Sequence, residues 1–494
     1  MQSLHYLRGF AEDPQWPDRD RVLAAPDAPA LAGPLAMTLA GPPGLAFGVA
    51  LGLALAERLL AARFGRSLVD HRTWLVAGPA EMAAGTSHEA AAIAGALTLG
   101  RLTVIAALPA AEGAALARFA AVGWTVRRVA DGDLAELEAA LSAALRAQKP
   151  TLIAILHRAE APKADAAELA ASAQSAGARR AWLKRLRRHA ASGAFQQAMG
   201  ATPPARLFGM LSPLDGGQEL TPLDTVLDAL ARVAPAMPDL VTLPAPAGAP
   251  AGPSAVLWEG RHQAGAGALL GMALHGGVLP LGWFPPQAAD ALLPCRRAAT
   301  ARELRLVLAV AGDAVPPDVT ESGGAIVLRP CGSAEALECT ALALRWPGPS
   351  VLLLHAYQSA AVSTAPGGGC AKGGYRLEGA PDAVCALAAS GPDVALALHV
   401  RQALAERGLE AAVISVPCHS LFAAQDSDWR LGVTGTAPLF GLGRAARLPG
   451  CNPLDAGDSP DAARLAAWIE HRLRRSPDIL AASAWLLESA AKLD

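Results

Sequence analysis

Between positions 45 and 156 helical and extended patterns alternate without a break, and no other feature of the chain constrains its fold as strongly. The spacing predicts helices over 44–64, 87–99, 112–122 and 133–147, and strands over 73–76, 102–106, 125–129 and 151–156. Apolar strands of this length interleaved with helices favour a parallel sheet covered on both faces. Asp131-Gly132-Asp133 supplies a turn and an N-cap, and Pro150 closes the last helix.

Two more such series follow. After a polar, Ala- and Arg-rich connector at 163–202, strands are expected at 255–258, 304–309, 325–328 and 351–354. A Gly/Pro-rich break, STAPGGGCAKGG, precedes a third series with strands at 383–388 and 411–416 and helices at 394–406 and 461–474. The fold class is therefore α/β, with three consecutive α/β domains built on mainly parallel sheets. Their bounds are 1–175, 206–362 and 373–494, with 176–205 as the connector. A length of 494 residues accommodates three domains at about 150 residues each.

Net charge is −2, and the basic residues are dispersed apart from RRAWLKRLRRH at 179–189, so no nucleic-acid partner is expected. That run reads as a solvated connector helix. The apolar stretch at 36–56 has the length of a membrane span but is broken by Pro42, Pro43 and glycines; a Gly/Ala-rich helix packed in a core or at a subunit interface is expected, and no membrane. Seven cysteines without a Cys-x-x-Cys pair, and the absence of a secretory pattern at the N-terminus, suit buried thiols in a cytoplasmic protein.

The segment WLVAGPAEMAAGTSHEAAAIAGALTLGRLTVIAALP at 74–109 has the form of a phosphate or metal cradle, a strand ending in a tight turn and a small-residue helix. It carries no carboxylate or amide at either strand end. With the preceding DHRT, it resembles the thiamine-diphosphate motif segment of the transketolases. So, in the same order, do WPDRDRVLAAP, GPPGLAFGVALGLALAER, FAAVGWTVRRVADGD, LLGMALHGGVLPL, RPCGSAEAL, GGYRLEG and VISVPCHSLFAAQD. The resemblance spans nearly the whole chain. It implies a pyrophosphate-binding domain, a pyrimidine-binding domain and a C-terminal α/β domain, paired in a dimer whose sites lie between subunits.

The resemblance also assigns positions. The family holds magnesium with the Asp of a Gly-Asp-Gly turn and an Asn about thirty residues later; here these are Gly78-Pro79-Ala80 and Pro109. Proline brings neither a side-chain oxygen nor a backbone N–H. The family's Gly-His-Gly corresponds to Asp27-Ala28-Pro29, its Ser-Arg sugar-phosphate pair to His355-Ala356, and two gaps remove segments that carry further histidines. The glutamate that activates the aminopyrimidine falls on His262, or on Gln263 after a one-residue slip. No catalytic or metal-binding residue is assigned with these replacements, and neither cofactor is expected.

The resemblance thus implies a transketolase-like pseudoenzyme acting as a scaffold or inactive subunit, in a homodimer or a hetero-oligomer with another protein. Two alternatives are a shortened transketolase using thiamine diphosphate and magnesium, and a module binding a small molecule in the vacated crevice. Ser87-His88-Glu89, Asp70-His71 and His275 are read as structural. Gly441-Leu442-Gly443-Arg444-Ala445-Ala446 matches a dinucleotide-type Gly-x-Gly-x-x-Ala pattern in an unsettled strand context.

Overall fold

A computed structural model describes residues 16–28, 36–157, 173–200, 203, 207–211, 220–243, 258–312, 324–356, 368–454 and 461–475. They form three sheets. The first contains β1 (Arg21–Ala24), β2 (Met37–Thr38), β3 (Thr73–Ala77), β4 (Leu102–Pro109), β5 (Thr125–Ala130) and β6 (Thr151–His157) in the order β2-β1-β3-β4-β6-β5. Every pairing in it is parallel. The second contains β7 (Leu240–Leu243), β8 (Leu279–Phe284), β9 (Leu306–Ala311), β10 (Ile326–Leu328) and β11 (Pro349–Leu354), ordered β10-β11-β9-β8-β7. The third contains β12 (Tyr375–Glu378), β13 (Cys385–Ala389), β14 (Ala411–Ser415), β15 (Leu439–Leu442) and β16 (Asn452–Leu454), ordered β12-β14-β13-β15-β16, with β12 alone antiparallel to its neighbour. The α/β class read from the alternating pattern is the observed one.

Two compact units emerge. One comprises 1–202, 238–283 and 290–306, the other 203–237, 284–289 and 307–494. In the first unit the helices that matter below are α1 (Leu45–Phe64), α2 (Pro79–Ala83), α3 (Gly85–Ala96), α4 (Leu134–Ala144), α5 (Ala173–Arg188) and α6 (Ser192–Met199); the second contributes α7 (Pro222–Val233). Returning to the first unit, α8 is His262–His275; in the second, α9 is Ser333–Arg345, α10 is Asp393–Ala405 and α11 is Ala462–Arg475.

Helix α1 is the core of the first unit. Among the described residues it alone is long and apolar enough to cross a bilayer, yet 83% of that stretch is buried within the protein. Its small residues face α8. A Cβ added at Gly52 would lie 1.9 Å from the carbonyl oxygen of Ala268, and one at Gly271 would lie 2.2 Å from that of Val49. The backbones meet because neither helix carries a side chain there. The stripe is therefore used inside the unit, rather than kept for a second subunit.

Several elements differ from expectation. The helix expected at 87–99 is α3, Gly85–Ala96, and a further short helix precedes it: α2 begins directly after Gly78 because Pro79, at the first helical position, has φ already set for a helix. The helix expected at 112–122 is a 3-10 turn, Ala110–Leu116, followed by a short α-helix, Ala117–Ala121. The basic run at 179–189 is not solvated on every face. Trp182, only 2% exposed, donates from Nε1 to the Leu68 carbonyl at 2.8 Å and sits edge-on to Trp16 and Phe195. Of the strand expected at 255–258, only Trp258 belongs to the described residues, as does only part of the connector. All seven cysteines are free thiols and six of them are buried, as their spacing implied.

Candidate functional site

The first sheet reverses its strand order at β1 and β3: the chain leaves β1 for β2 on one side and returns to β3 on the other. Ligands of open α/β sheets bind beyond the carboxyl ends of the strands at such a point. Here the two strand ends are bridged by a carboxylate of the chain itself. Asp27, just past β1, accepts the amide hydrogens of Gly78 at 3.2 Å and of Glu81 at 3.0 Å, capping α2. Gly78 has no side chain to do so, and Pro79 has no N–H to offer a ligand.

Glu81 then turns away from its own helix. Its Oε2 accepts from the amide of Gly44 and its Oε1 from that of Phe47, both at 2.7 Å, so it caps α1 from a different segment. The first-turn amides of a helix are where an anion would bind. They are already occupied by a side chain that is 1% exposed. Burial pushes the Glu81 carboxyl above its ordinary pKa, with the Gly44 and Phe47 amides pulling the other way and Asp27 adding to the rise. Ser87 locks the turn by donating from Oγ to the Glu81 carbonyl at 2.6 Å.

Pro109 is the last residue of β4, opposite His157 of β6 and three positions beyond Ala106, which pairs with Ala77 at the end of β3. Pro79 and Pro109 thus lie just past and at the carboxyl ends of adjacent strands, and they are the positions that the resemblance gives to oxygen ligands. Magnesium takes near-octahedral oxygen coordination, which two prolines and an alanine cannot provide. The four carboxylate oxygens of Asp27 and Glu81 each accept an amide hydrogen. Among the described residues no group of three His, Cys, Asp or Glu side chains is arranged to hold a metal. The residues present do not fit a magnesium diphosphate.

His262 opens α8, and the neighbouring Gln263 accepts a hydrogen bond from the Thr86 hydroxyl in the first turn of α3. The structure thereby joins the segment following the cradle to the residue beside His262. Ala28 is buried at 3% exposure and brings no polar atom, while Pro29 lies outside the described residues. In the second unit His355 follows β11; burial, reinforced by the Arg329 guanidinium, lowers its pKa to about 4, so it is neutral near pH 7. No cation stands at the position the resemblance gives to sugar phosphate.

The residues read as structural make these contacts. His88 packs against Phe119 with ring centroids 5.6 Å apart. His275 donates from Nδ1 to the Gly276 carbonyl at 2.7 Å and lies Nε2 to Nε2 at 2.8 Å from His71, deep in the unit. Asp70 pairs with Arg101 at 2.5 Å. The capping roles of Asp27 and Glu81 are not legible in the sequence. An acid three residues after a turn signals capping of its own helix, and nothing local announces that Glu81 caps one 34 residues earlier. Nor is the bonding of Glu335 legible there: its carboxylate accepts from Tyr375 Oη and the Cys331 amide, both at 2.7 Å.

Comparison with known proteins identifies the family. A family model described as the transketolase thiamine diphosphate binding domain matches residues 25–158, and one for the transketolase-like C-terminal domain matches 373–440. The transketolase of Cereibacter sphaeroides is 30% identical over 483 residues, covering 81% of this chain and 73% of that protein. The chromosomal transketolase of Cupriavidus necator is also 30% identical, covering 77% and 71% respectively. Among solved structures, transketolase from Leishmania mexicana superposes with a TM-score of 0.79 at 20% identity, covering 96% of this chain and 90% of that one. That from Campylobacter jejuni gives 0.80 at 17% identity, covering 94% and 93%.

Proposed function

The chain belongs to the transketolase family, and from that premise we propose that it is a non-catalytic member, retaining the scaffold while acting through protein contacts as a scaffold or as the inactive subunit of an assembly. The observation that carries this reading is the self-occupied cradle: Asp27 and Glu81 spend their carboxylates on backbone amides where a diphosphate would need those amides. Adding a diphosphate there would set like charges against each other in a partly buried turn. Replacement of both ligand positions by proline and of the activating glutamate by His262 supports the same reading. With it go the three domain bounds, a dimer or hetero-oligomer, and residence in the cytoplasm.

A second reading is favoured by the 30% identity that extends over 73% of the C. sphaeroides enzyme. In it the chain is a shortened transketolase that moves a two-carbon ketol unit between sugar phosphates and completes its site with another subunit. Calorimetry of the intact protein with thiamine diphosphate and Mg²⁺ separates the two. Silence to millimolar concentration is expected. Micromolar, metal-dependent binding together with ketol transfer would overturn the first reading in favour of the second.

A further inference from the structure

Helix α5 carries six basic residues, Arg179, Arg180, Lys184, Arg185, Arg187 and Arg188, and no acid. The span 173–200, which adds α6, contains no acid either. Packing sorts these cations. Trp182 and Leu186 face inward, 2% and 8% exposed, and Arg185 at their flank donates from Nε to the Ser67 carbonyl at 3.1 Å. At 3.6 residues per turn, Arg180, Lys184, Arg187 and Arg188 fall within about 100° of arc on the opposite side. All four are exposed, and they make no ion pair among the described residues.

Their spacing carries information. Arg180, Lys184 and Arg188 stand four residues apart, one above the next at intervals of about 6 Å, with Arg187 beside them. Like charges so placed destabilise the helix that bears them. The helix dipole accounts for Arg187 and Arg188, in the last turn, but its influence does not extend to Arg180 and Lys184. The inward face holds the helix nonetheless, through the bond of Trp182 to Leu68 and its edge-on contacts with Trp16 and Phe195. The ridge is thus presented to solvent on an anchored support.

Its surroundings select among polyanions. A helix lying on a bilayer needs an apolar face for the acyl chains, and that of α5 is spent on Trp16, Leu68 and Phe195. Nucleic-acid bases are met by stacking aromatics or by amides, whereas from Gly177 onward the exposed residues of α5 are cations, Gly177 and Ala181. A polypeptide requires neither. Carboxylates at every fourth position of a helix repeat at the interval of the ridge, so one acidic helix can meet Arg180, Lys184 and Arg188 together. Exposed ion pairs are weak singly, and a row of them gives a contact fixed in register and sensitive to salt.

We propose that the Arg180–Lys184–Arg188 ridge docks an acidic helix of a partner protein, one with carboxylates at every fourth position. The proposal rests on the reading of this chain as one that acts through protein contacts. Fluorescence anisotropy of a labelled alanine-based peptide with Glu at every fourth position, titrated with the intact chain, tests it. The same peptide with Gln, a short DNA duplex and phosphatidylserine vesicles serve as competitors beside the unlabelled Glu peptide. Saturable binding is expected, weakened about tenfold or more by Lys184→Gln with Arg188→Gln and by raised salt, with the Gln peptide competing about tenfold less well. Urea midpoints of the double variant should match or exceed the parent's, since like charges are removed; should they fall, Arg180→Gln must weaken binding instead. No binding at millimolar concentration would overturn the proposal. So would binding that the variants leave unchanged, or a duplex or vesicle that competes better than the Glu peptide. Silence towards the peptide and thiamine diphosphate alike would sink the ridge alone, whereas metal-dependent binding of thiamine diphosphate would sink the underlying reading whatever the peptide does.

Discussion

Glu81 of α2 accepts the amide hydrogen of Phe47, in the first turn of α1, at 2.7 Å. Together with the matching bond from Gly44, this makes one buried carboxylate the N-terminal cap of the longest helix described in the first unit. The dipole of a 20-residue helix favours negative charge there, and burial opposes it. The amides must have an acceptor in either case.

Glu81→Ala should therefore leave two buried donors without partners and cost about 2–6 kcal/mol, at roughly 1–3 kcal/mol for each unsatisfied group. Glu81→Gln keeps one acceptor oxygen and should cost less. Urea titrations of the three proteins rank them, and hydrogen exchange at the Phe47 amide should accelerate in the alanine variant before the rest of α1. Equal stability of Glu81→Ala and its parent would show that the carboxylate does not hold α1.

The meeting of α1 and α8 yields a paired prediction. At Gly52 an added methyl lands 1.9 Å from the Ala268 carbonyl oxygen, so Gly52→Ala must push two helix backbones apart. Overpacking typically costs about 1–3 kcal/mol, and a clash with backbone falls at the upper end. Gly85, at the start of α3, has nothing within 4 Å of the same added atom. Gly85→Ala should be neutral or stabilising by up to about 1 kcal/mol through reduced chain entropy. Thermal melts of the two variants should move in opposite directions, and a Gly52→Ala protein melting with its parent would mean that the two backbones are not in fact that close.

How much of this was legible depended on where the determining group lies. Strands β3, β4 and β6 and helix α1 declare themselves through unbroken apolar runs bounded by Gly and Pro, which are local signals. Strand β8 does not, because Pro280 and Gly282 inside it read as breakers; β7 is only four half-buried residues long. Trp182 sat in a run dominated by arginine, and its burial follows from an indole partner at Leu68, 114 residues away. At the cradle, Pro79 and Pro109, at the positions that the resemblance gives to metal ligands, are read directly from the sequence. The caps are not, since Asp27 and Glu81 act across 51 and 34 residues through bonds that only the folded chain brings together.

Glu57 supplies a prediction with a definite sign. It lies on α1, 1% exposed, bonded to the guanidinium of Arg66, with Arg101 and Asp70 also nearby. Burial raises its pKa from the ordinary 4.5 to about 7, against the pull of Arg66 and Arg101 and with a small push from Asp70. Between those two values the folded chain binds a proton that the unfolded chain has released, so its contribution to stability is full below about 4.5 and is lost as pH rises through about 7. Neutral, near-isosteric Glu57→Gln lacks this titration. Urea midpoints of parent and variant measured from pH 5 to 8 should diverge, the parent falling behind by up to about 3 kcal/mol by pH 8. A gap that stays flat, or that favours the parent as pH rises, would mean that Arg66 holds Glu57 ionised throughout, and that the carboxylate is a permanent half of a buried ion pair.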